Sequence, residues 1–220
     1  MSLFEYGLDT PLPGTLLFSA VAAFLYLLMV SRPPSARRTG VKTLAIALLA
    51  VLSVLANGPV LLTAGLLACA IGDALLAQDD DRAFQLGIGA FLLGHVAYIA
   101  LFVTEGRIDL FSEQPLRIII AIAIIGFCAV VARRLLPATG ALKAAVSAYV
   151  VVIALMALFS LMMSGWGVVA GALLFVASDT VLALQRFLMP AEEGTPWRAL
   201  FVWASYYLAQ LLITLAVLGF

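Results

Sequence analysis

The chain has a single histidine, His95, and only two cysteines, Cys69 and Cys128, both inside apolar stretches. A catalytic zinc usually takes three protein ligands rich in histidine, so one histidine argues against a zinc enzyme. Two thiols buried in separate apolar runs make no disulfide framework. Charge is equally scarce: Lys, Arg, Asp and Glu make up 11% of the 220 residues and cancel to a net of zero. There is no basic tract and no stripe of basic and aromatic residues, so nothing favours nucleic acid as a partner. No GxSxG string occurs, which leaves a serine hydrolase built on a nucleophile elbow without support. Strand-like alternation is missing too.

What fills the chain is hydrocarbon. Hydrophobic residues make up 65% of it and the mean hydropathy is +1.16, far above the apolar share of a soluble domain. A spanning helix needs about 20 mostly apolar residues. Eight runs qualify, near 12–30, 41–57, 59–77, 83–103, 116–133, 142–163, 166–188 and 197–219. The breaks at Asn57-Gly58-Pro59 and Ser164-Gly165-Trp166 are short enough to make antiparallel hairpins of their neighbours. Backbone groups in lipid must be satisfied internally, so the expected fold is all-α: one polytopic transmembrane bundle of about eight helices. Residues 1–11 carry Glu5 and Asp9 but no Lys or Arg, and Arg32, Arg37 and Arg38 follow the first run. The start therefore does not read as a cleaved signal peptide.

Basic residues set the expected orientation. The connections after runs one, three, five and seven hold Arg32, Arg37, Arg38, Lys42, Arg82, Arg133, Arg134, Lys143, Arg186 and Arg198, against only Arg107 and Arg117 on the other side. This bias puts both termini outside the cytoplasm, in what is expected to be a bacterial inner membrane. The first four spans and the last four then share one topology. An internal repeat of 1–110 and 111–220, two parallel four-helix halves, is the corresponding expectation.

Asp73 and Asp179 stand out against this background. Each lies inside an apolar run, and their local strings match: Gly72-Asp73-Ala74-Leu75-Leu76-Ala77 against Ser178-Asp179-Thr180-Val181-Leu182-Ala183. A carboxylate at membrane depth is disfavoured by several kcal/mol unless paired, hydrated or protonated, which makes it a functional candidate. One buried acid is as readily structural as functional. Two in matching strings favour a shared site. Counting about 1.5 Å per residue from Gln78 and Arg186 puts both acids on the order of 7–11 Å below the basic surface. The same depth is reached by the fourth run, with His95 and Tyr98 on one face, and by the eighth, with Tyr206, Tyr207 and Gln210 on one face. His95 and Gln210 are expected somewhat deeper, which suggests a cavity open to the cytoplasmic side. His95 alone is more often a satisfied core residue, and at least one of Tyr206 and Tyr207 is best explained by packing. Asp79, Asp80 and Asp81 read as solvated, one of them capping the fourth helix.

Two carboxyls in a low-dielectric cavity suit acid-base work without a metal or cofactor, a protonated acid beside an ionised partner. Such a pair can protonate carbon or a leaving group, stabilise a cation and activate water. The expected assignment is Asp73 and Asp179 catalytic, with His95, Tyr98, Tyr206, Tyr207 and Gln210 binding substrate.

At these motifs the chain resembles the YhhN family of membrane proteins, whose mammalian relatives are lysoplasmalogenases. The resemblance rests on Ile71-Gly72-Asp73-Ala74-Leu75-Leu76, on Phe91-Leu92-Leu93-Gly94-His95-Val96-Ala97-Tyr98, on Ser178-Asp179 with Leu182, and on Tyr206-Tyr207-Leu208-Ala209-Gln210. It covers essentially the whole chain. It implies a lysophospholipid partner and hydrolysis of the vinyl ether bond of a lysoplasmalogen to a fatty aldehyde and a glycerophospho-head group. Oligomeric state is not indicated. Two other classes stay open at this point. Paired midspan acids in parallel halves also suit a proton-coupled carrier for a small or lipid-like solute. Two transmembrane acids also occur in intramembrane aspartyl proteases, although the glycine expected two residues before Gly72 is Ala70 and no Pro-Ala-Leu string lies near the eighth run.

Overall fold

Ser35 opens the second helix: its hydroxyl accepts from the Arg38 amide, so the helix begins at Ala36, five residues ahead of the apolar run. Such caps and breaks order the chain in the computed structural model, which describes residues 11–78, 80–189 and 196–220. Glu5, Asp9 and Asp79, and the expectations attached to them, lie outside the described residues. The main helices are α1 (Pro11–Leu27), α2 (Ala36–Leu55), α3 (Val60–Leu76), α4 (Asp81–Glu105), α6 (Leu116–Leu135), α7 (Lys143–Ser160), α8 (Trp166–Leu188) and α9 (Pro196–Leu218), with a four-residue α5 (Leu110–Glu113) between α4 and α6. No strand occurs among the described residues. Helices α2, α4, α6, α7, α8 and α9 are long and apolar enough to cross a membrane. Helices α1 and α3 are apolar with 17 residues each, at the short end of the spanning range.

Local signals set the ends. Asn57 takes φ 52° in the α2–α3 turn, a left-handed conformation that asparagine tolerates better than most residues. Asp80 caps α4, its carboxylate accepting from the Ala83 amide at 2.8 Å. Arg117, in the first turn of α6, is fully buried. It donates to the carbonyls of Leu161 (2.6 Å) and Met163 (2.9 Å), and its guanidinium lies 4.5 Å from the Trp166 ring centroid. One side chain thus closes the orphan carbonyls at the end of α7 and ties them to α6.

Two hairpins pack most extensively, α3 on α4 and α8 on α9. Small residues allow it: a Cβ on Gly65 would sit 2.8 Å from the Tyr98 ring, and one on Gly171 would sit 2.8 Å from the Ala209 carbonyl. Helix α4 also packs on α7, and α9 on α2. Among the described residues helix α6 packs chiefly on α7 and α8 and on the short connecting segments at its ends. Its long apolar side chains at Ile118, Ile119, Ile122, Ile125 and Val130 are exposed. The bundle is therefore tight on the α1–α4 side and loose around α6, and the loose side holds a cavity.

Candidate active site

The cavity has a volume of about 270 Å³ and opens at the end of the bundle where α1, α3, α6 and α8 finish. Its walls differ in character. Phe127, Cys128 and Val131 of α6 with Val150 and Ile153 of α7 form an apolar side, while Asp73, Asp179, Lys42, Tyr149 and Tyr206 form a polar one. The shape matches an amphiphile with one reactive polar end.

Helix α3 delivers Asp73, fully buried, three residues before its last turn closes. The Lys42 ammonium stands 2.8 Å from Asp73 Oδ1 with 16% of its side chain exposed. The Tyr206 hydroxyl of α9 donates to Oδ2 at 2.8 Å. Lys42 also lies 5.9 Å from the ring centroids of Tyr26 and Trp203, so aromatic faces share its charge. An ammonium and a hydroxyl donor thus engage both carboxyl oxygens of Asp73.

Helix α8 delivers Asp179, whose company is different. The Tyr149 hydroxyl of α7 donates to Oδ2, and no Lys or Arg lies within ion-pair distance among the described residues. His95 of α4 is fully buried, with Nε2 3.9 Å from Asp179 Oδ2. Its Nδ1 lies 2.7 Å from the Phe91 carbonyl. A carbonyl only accepts, so Nδ1 carries the proton and Nε2 of a neutral ring presents a lone pair towards Asp179. That nitrogen has no hydrogen-bond partner among the described residues. Phe175 of α8 packs between the acids' partners, its centroid 4.6 Å from the His95 ring and 5.3 Å from the Tyr206 ring. The inner wall of the cavity is aromatic where Phe91, Trp203 and Tyr206 line it.

Of the residues singled out in the sequence, Asp73, Asp179 and Tyr206 line the cavity, with His95 directly behind Asp179. Tyr98 and Gln210 do not line it. The Tyr98 hydroxyl donates to Gln210 Oε1 at 2.5 Å, binding α4 to α9 in the core. Tyr207 turns the other way, its hydroxyl 3.0 Å from that of Ser19 on α1. Lys42 and Tyr149 were not singled out. Lys42, the second residue of the run begun at 41, reads as one of the basic residues of the preceding connection. Starting α2 at Ala36 places it well inside the helix. Tyr149 sits in an unbroken apolar run, and its only signal is its register, 107 residues after Lys42 in a chain whose acids repeat at 106.

The model of the family described as YhhN matches residues 37–217, a stretch that includes every group named at the cavity except Tyr26. The chain belongs to the YhhN family. Among relatives of this YhhN protein, human lysoplasmalogenase TMEM86A is 30% identical, the alignment covering 90% of this chain and 85% of the human one. A lysoplasmalogenase of Mycobacterium tuberculosis is 31% identical over 89% of this chain and 78% of its own. Human lysoplasmalogenase TMEM86B is 34% identical over 72% and 63% respectively. No solved structure matches this YhhN protein.

Proposed function

We propose that this YhhN protein is a lysoplasmalogenase-like membrane hydrolase that cleaves the vinyl ether bond of a lysoplasmalogen to a fatty aldehyde and a glycerophospho-head group. The observation that carries the reading is two carboxyls in unlike company on one amphipathic cavity. Asp73 is paired with the Lys42 ammonium, whereas Asp179 has a tyrosine hydroxyl and the His95 ring beside it. Separate environments for two acids are how a site divides acid and base roles.

Vinyl ether hydrolysis begins at carbon. Protonated Asp179 delivers its proton to the alkenyl carbon remote from oxygen. The C=C pair forms that C–H bond and leaves an oxocarbenium cation at the carbon attached to oxygen. The Asp73 carboxylate stabilises this cation, a charge that exists only after proton transfer. Water adds to the cationic carbon while Asp179, now a carboxylate, takes the released proton. The resulting hemiacetal collapses as the carboxyl of Asp179 gives its proton to the glycerol oxygen and accepts the hydroxyl proton, leaving aldehyde and alcohol. Atoms balance with one water consumed, and Asp179 ends as it began. Tyr149 keeps Oδ2 engaged, so the mobile proton resides on Oδ1. His95 Nε2, within reach of a bridging water, orients that water or buffers the proton. The chain's own groups supply each step, and the ammonium of Lys42 at Asp73 is an unfavourable neighbour for a divalent cation.

Mass spectrometry of lysolipids incubated with purified protein tests the reaction. The vinyl ether substrate should yield aldehyde, while alkyl and acyl analogues should not. In deuterated water the aldehyde should carry one deuterium on the carbon next to the carbonyl, and turnover should persist in EDTA. Cleavage of the acyl analogue with equal efficiency would remove the vinyl ether assignment. Recovery of chelated enzyme by one specific divalent ion would overturn the metal-free scheme. Solute exchange without hydrolysis would favour the carrier reading.

The orientation belongs to the same proposal. Ten basic residues stand at the mouth end against Arg107 and Arg117 at the other, which supports a cytoplasmic mouth with both termini outside. Cysteines introduced at Ala36 and Leu218 should then label from opposite sides of an intact inner membrane; labelling from one side would sink the orientation.

The two halves, 1–110 and 111–220, are best read as parallel repeats. Gly65 and Gly171, like Asp73 and Asp179, lie 106 residues apart. Their facing partners Tyr98 and Ala209, like His95 and Tyr206, lie 111 apart. Each acid takes one partner from the second helix of its own half (Lys42, Tyr149) and one from the fourth helix of the other (Tyr206, His95).

A further inference from the structure

Arg38 lines the cavity one turn outward from the acids. It precedes Lys42 by four residues on α2, which puts it on the same face and about 6 Å nearer the mouth. Its Nη2 donates to the Tyr26 hydroxyl at 3.3 Å, and its guanidinium lies 5.7 Å from the Tyr26 ring centroid. The side chain is thereby aimed, but its charge is unmatched. Among the described residues no carboxylate pairs with it, and its Nε is buried with no hydrogen-bond partner. Lys42, by contrast, is committed to Asp73. Arg186 also lines the cavity, seven residues beyond Asp179 on α8. It meets Asp81 at 3.1 Å in a solvated pair, Asp81 being 88% exposed, and such pairs contribute little and exchange readily.

An oriented guanidinium with free donors fits a phosphate, whose oxygens match its fork. We propose, resting on the reading of the cavity as a lysolipid site, that Arg38 is the phosphate-recognising residue of that site, with Arg186 as a weaker second cation at the rim. The spacing agrees with the substrate class. A glycerol unit separates the ether oxygen from its phosphate by about the rise of one helical turn. With the alkenyl group between Asp73 and Asp179, the phosphate arrives at Arg38 and the hydrocarbon tail runs along α6 and α7. Arg38 then selects phosphate-bearing vinyl ethers over neutral alkenylglycerols and fixes which bond faces the acids.

Two assays on the full chain in detergent separate this subsite from the reaction itself. In the first, Arg38→Gln should lower kcat/KM on lysoplasmalogen by about 10–100-fold, mostly through KM, the range expected for losing a charge-assisted hydrogen bond. Its effect on the phosphate-free 1-alkenylglycerol should be much smaller. Arg38→Lys should recover part of the loss, and Arg186→Gln should cost about threefold. Equal losses on both substrates, or a loss confined to kcat, would overturn the proposal. The second assay measures binding of two ligands that cannot react, a 1-alkyl lysophosphatidylethanolamine and the corresponding 1-alkylglycerol. Arg38→Gln should weaken the first about tenfold more than the second. If the wild type binds them so but hydrolyses no vinyl ether, the phosphate subsite stands and the reaction falls. Displacement of the bound lysolipid by millimolar inorganic phosphate would assign Arg38 to a free anion instead.

Discussion

Asp179→Asn is expected to lower kcat by about 10²–10⁴-fold, the usual contribution of a positioned general acid, with the fold intact. Asparagine keeps the volume and can still accept from Tyr149, so the substitution removes the transferable proton and little else. Asp73→Asn should fall in the same range, because the carboxylate facing the developing cation is lost. The double variant should be little worse than either single, since groups that act as a unit are strongly non-additive. The pH-rate profile of the wild type should be bell-shaped, with its two apparent pKa values belonging to the pair. His95→Gln and Tyr206→Phe should cost less than either acid. Steady-state kinetics on lysoplasmalogen, with melting curves to verify folding, decides the matter. Near-normal turnover in either single variant would make that acid structural.

Lys42→Met should be the most damaging single change away from the acids. Lys42 and Asp73 form an ion pair at 2.8 Å with the carboxylate fully buried. Removing one partner of such a pair leaves an uncompensated charge and costs about 3–5 kcal/mol. The thermal midpoint should drop steeply and turnover should vanish. Combining Lys42→Met with Asp73→Asn should restore much of the midpoint, because the stranded charge is gone, while leaving the protein inactive. If Lys42→Met alone keeps its midpoint, the pair is hydrated and Lys42 does not hold Asp73.

The fold was largely legible in the sequence. Runs of apolar residues bounded by Asn57-Gly58-Pro59, Asp80 and Ser164-Gly165 place all eight main helices, because in lipid the only local alternative to a helix is a break. The differences are at the ends. Helix α2 starts at Ala36 rather than 41 because Ser35 caps a turn that carries Arg37 and Arg38, and a search for hydrocarbon passes over a charged first turn. The same oversight hides Lys42, whose partner is remote in sequence. Tyr149 is hidden for another reason. Nothing local separates a tyrosine that packs from one that donates to a carboxyl on the next helix. Conversely, depth alone groups Tyr98, Tyr207 and Gln210 with the acids. Their azimuths direct them to α9, α1 and α4 instead, and azimuth is settled by which helices become neighbours.

Helix α6 stands with little protein behind it. Phe127 lines the cavity and is 47% exposed, and among the long helices α6 packs chiefly on α7 and α8. The wall along which a hydrocarbon tail would lie is therefore one helix thick and backed by acyl chains of the bilayer. In a bilayer two media would bound the chamber: protein with aromatic rings on the α4 and α9 side, and lipid behind α6. The substrate's own solvent thus forms part of the vessel in which it reacts.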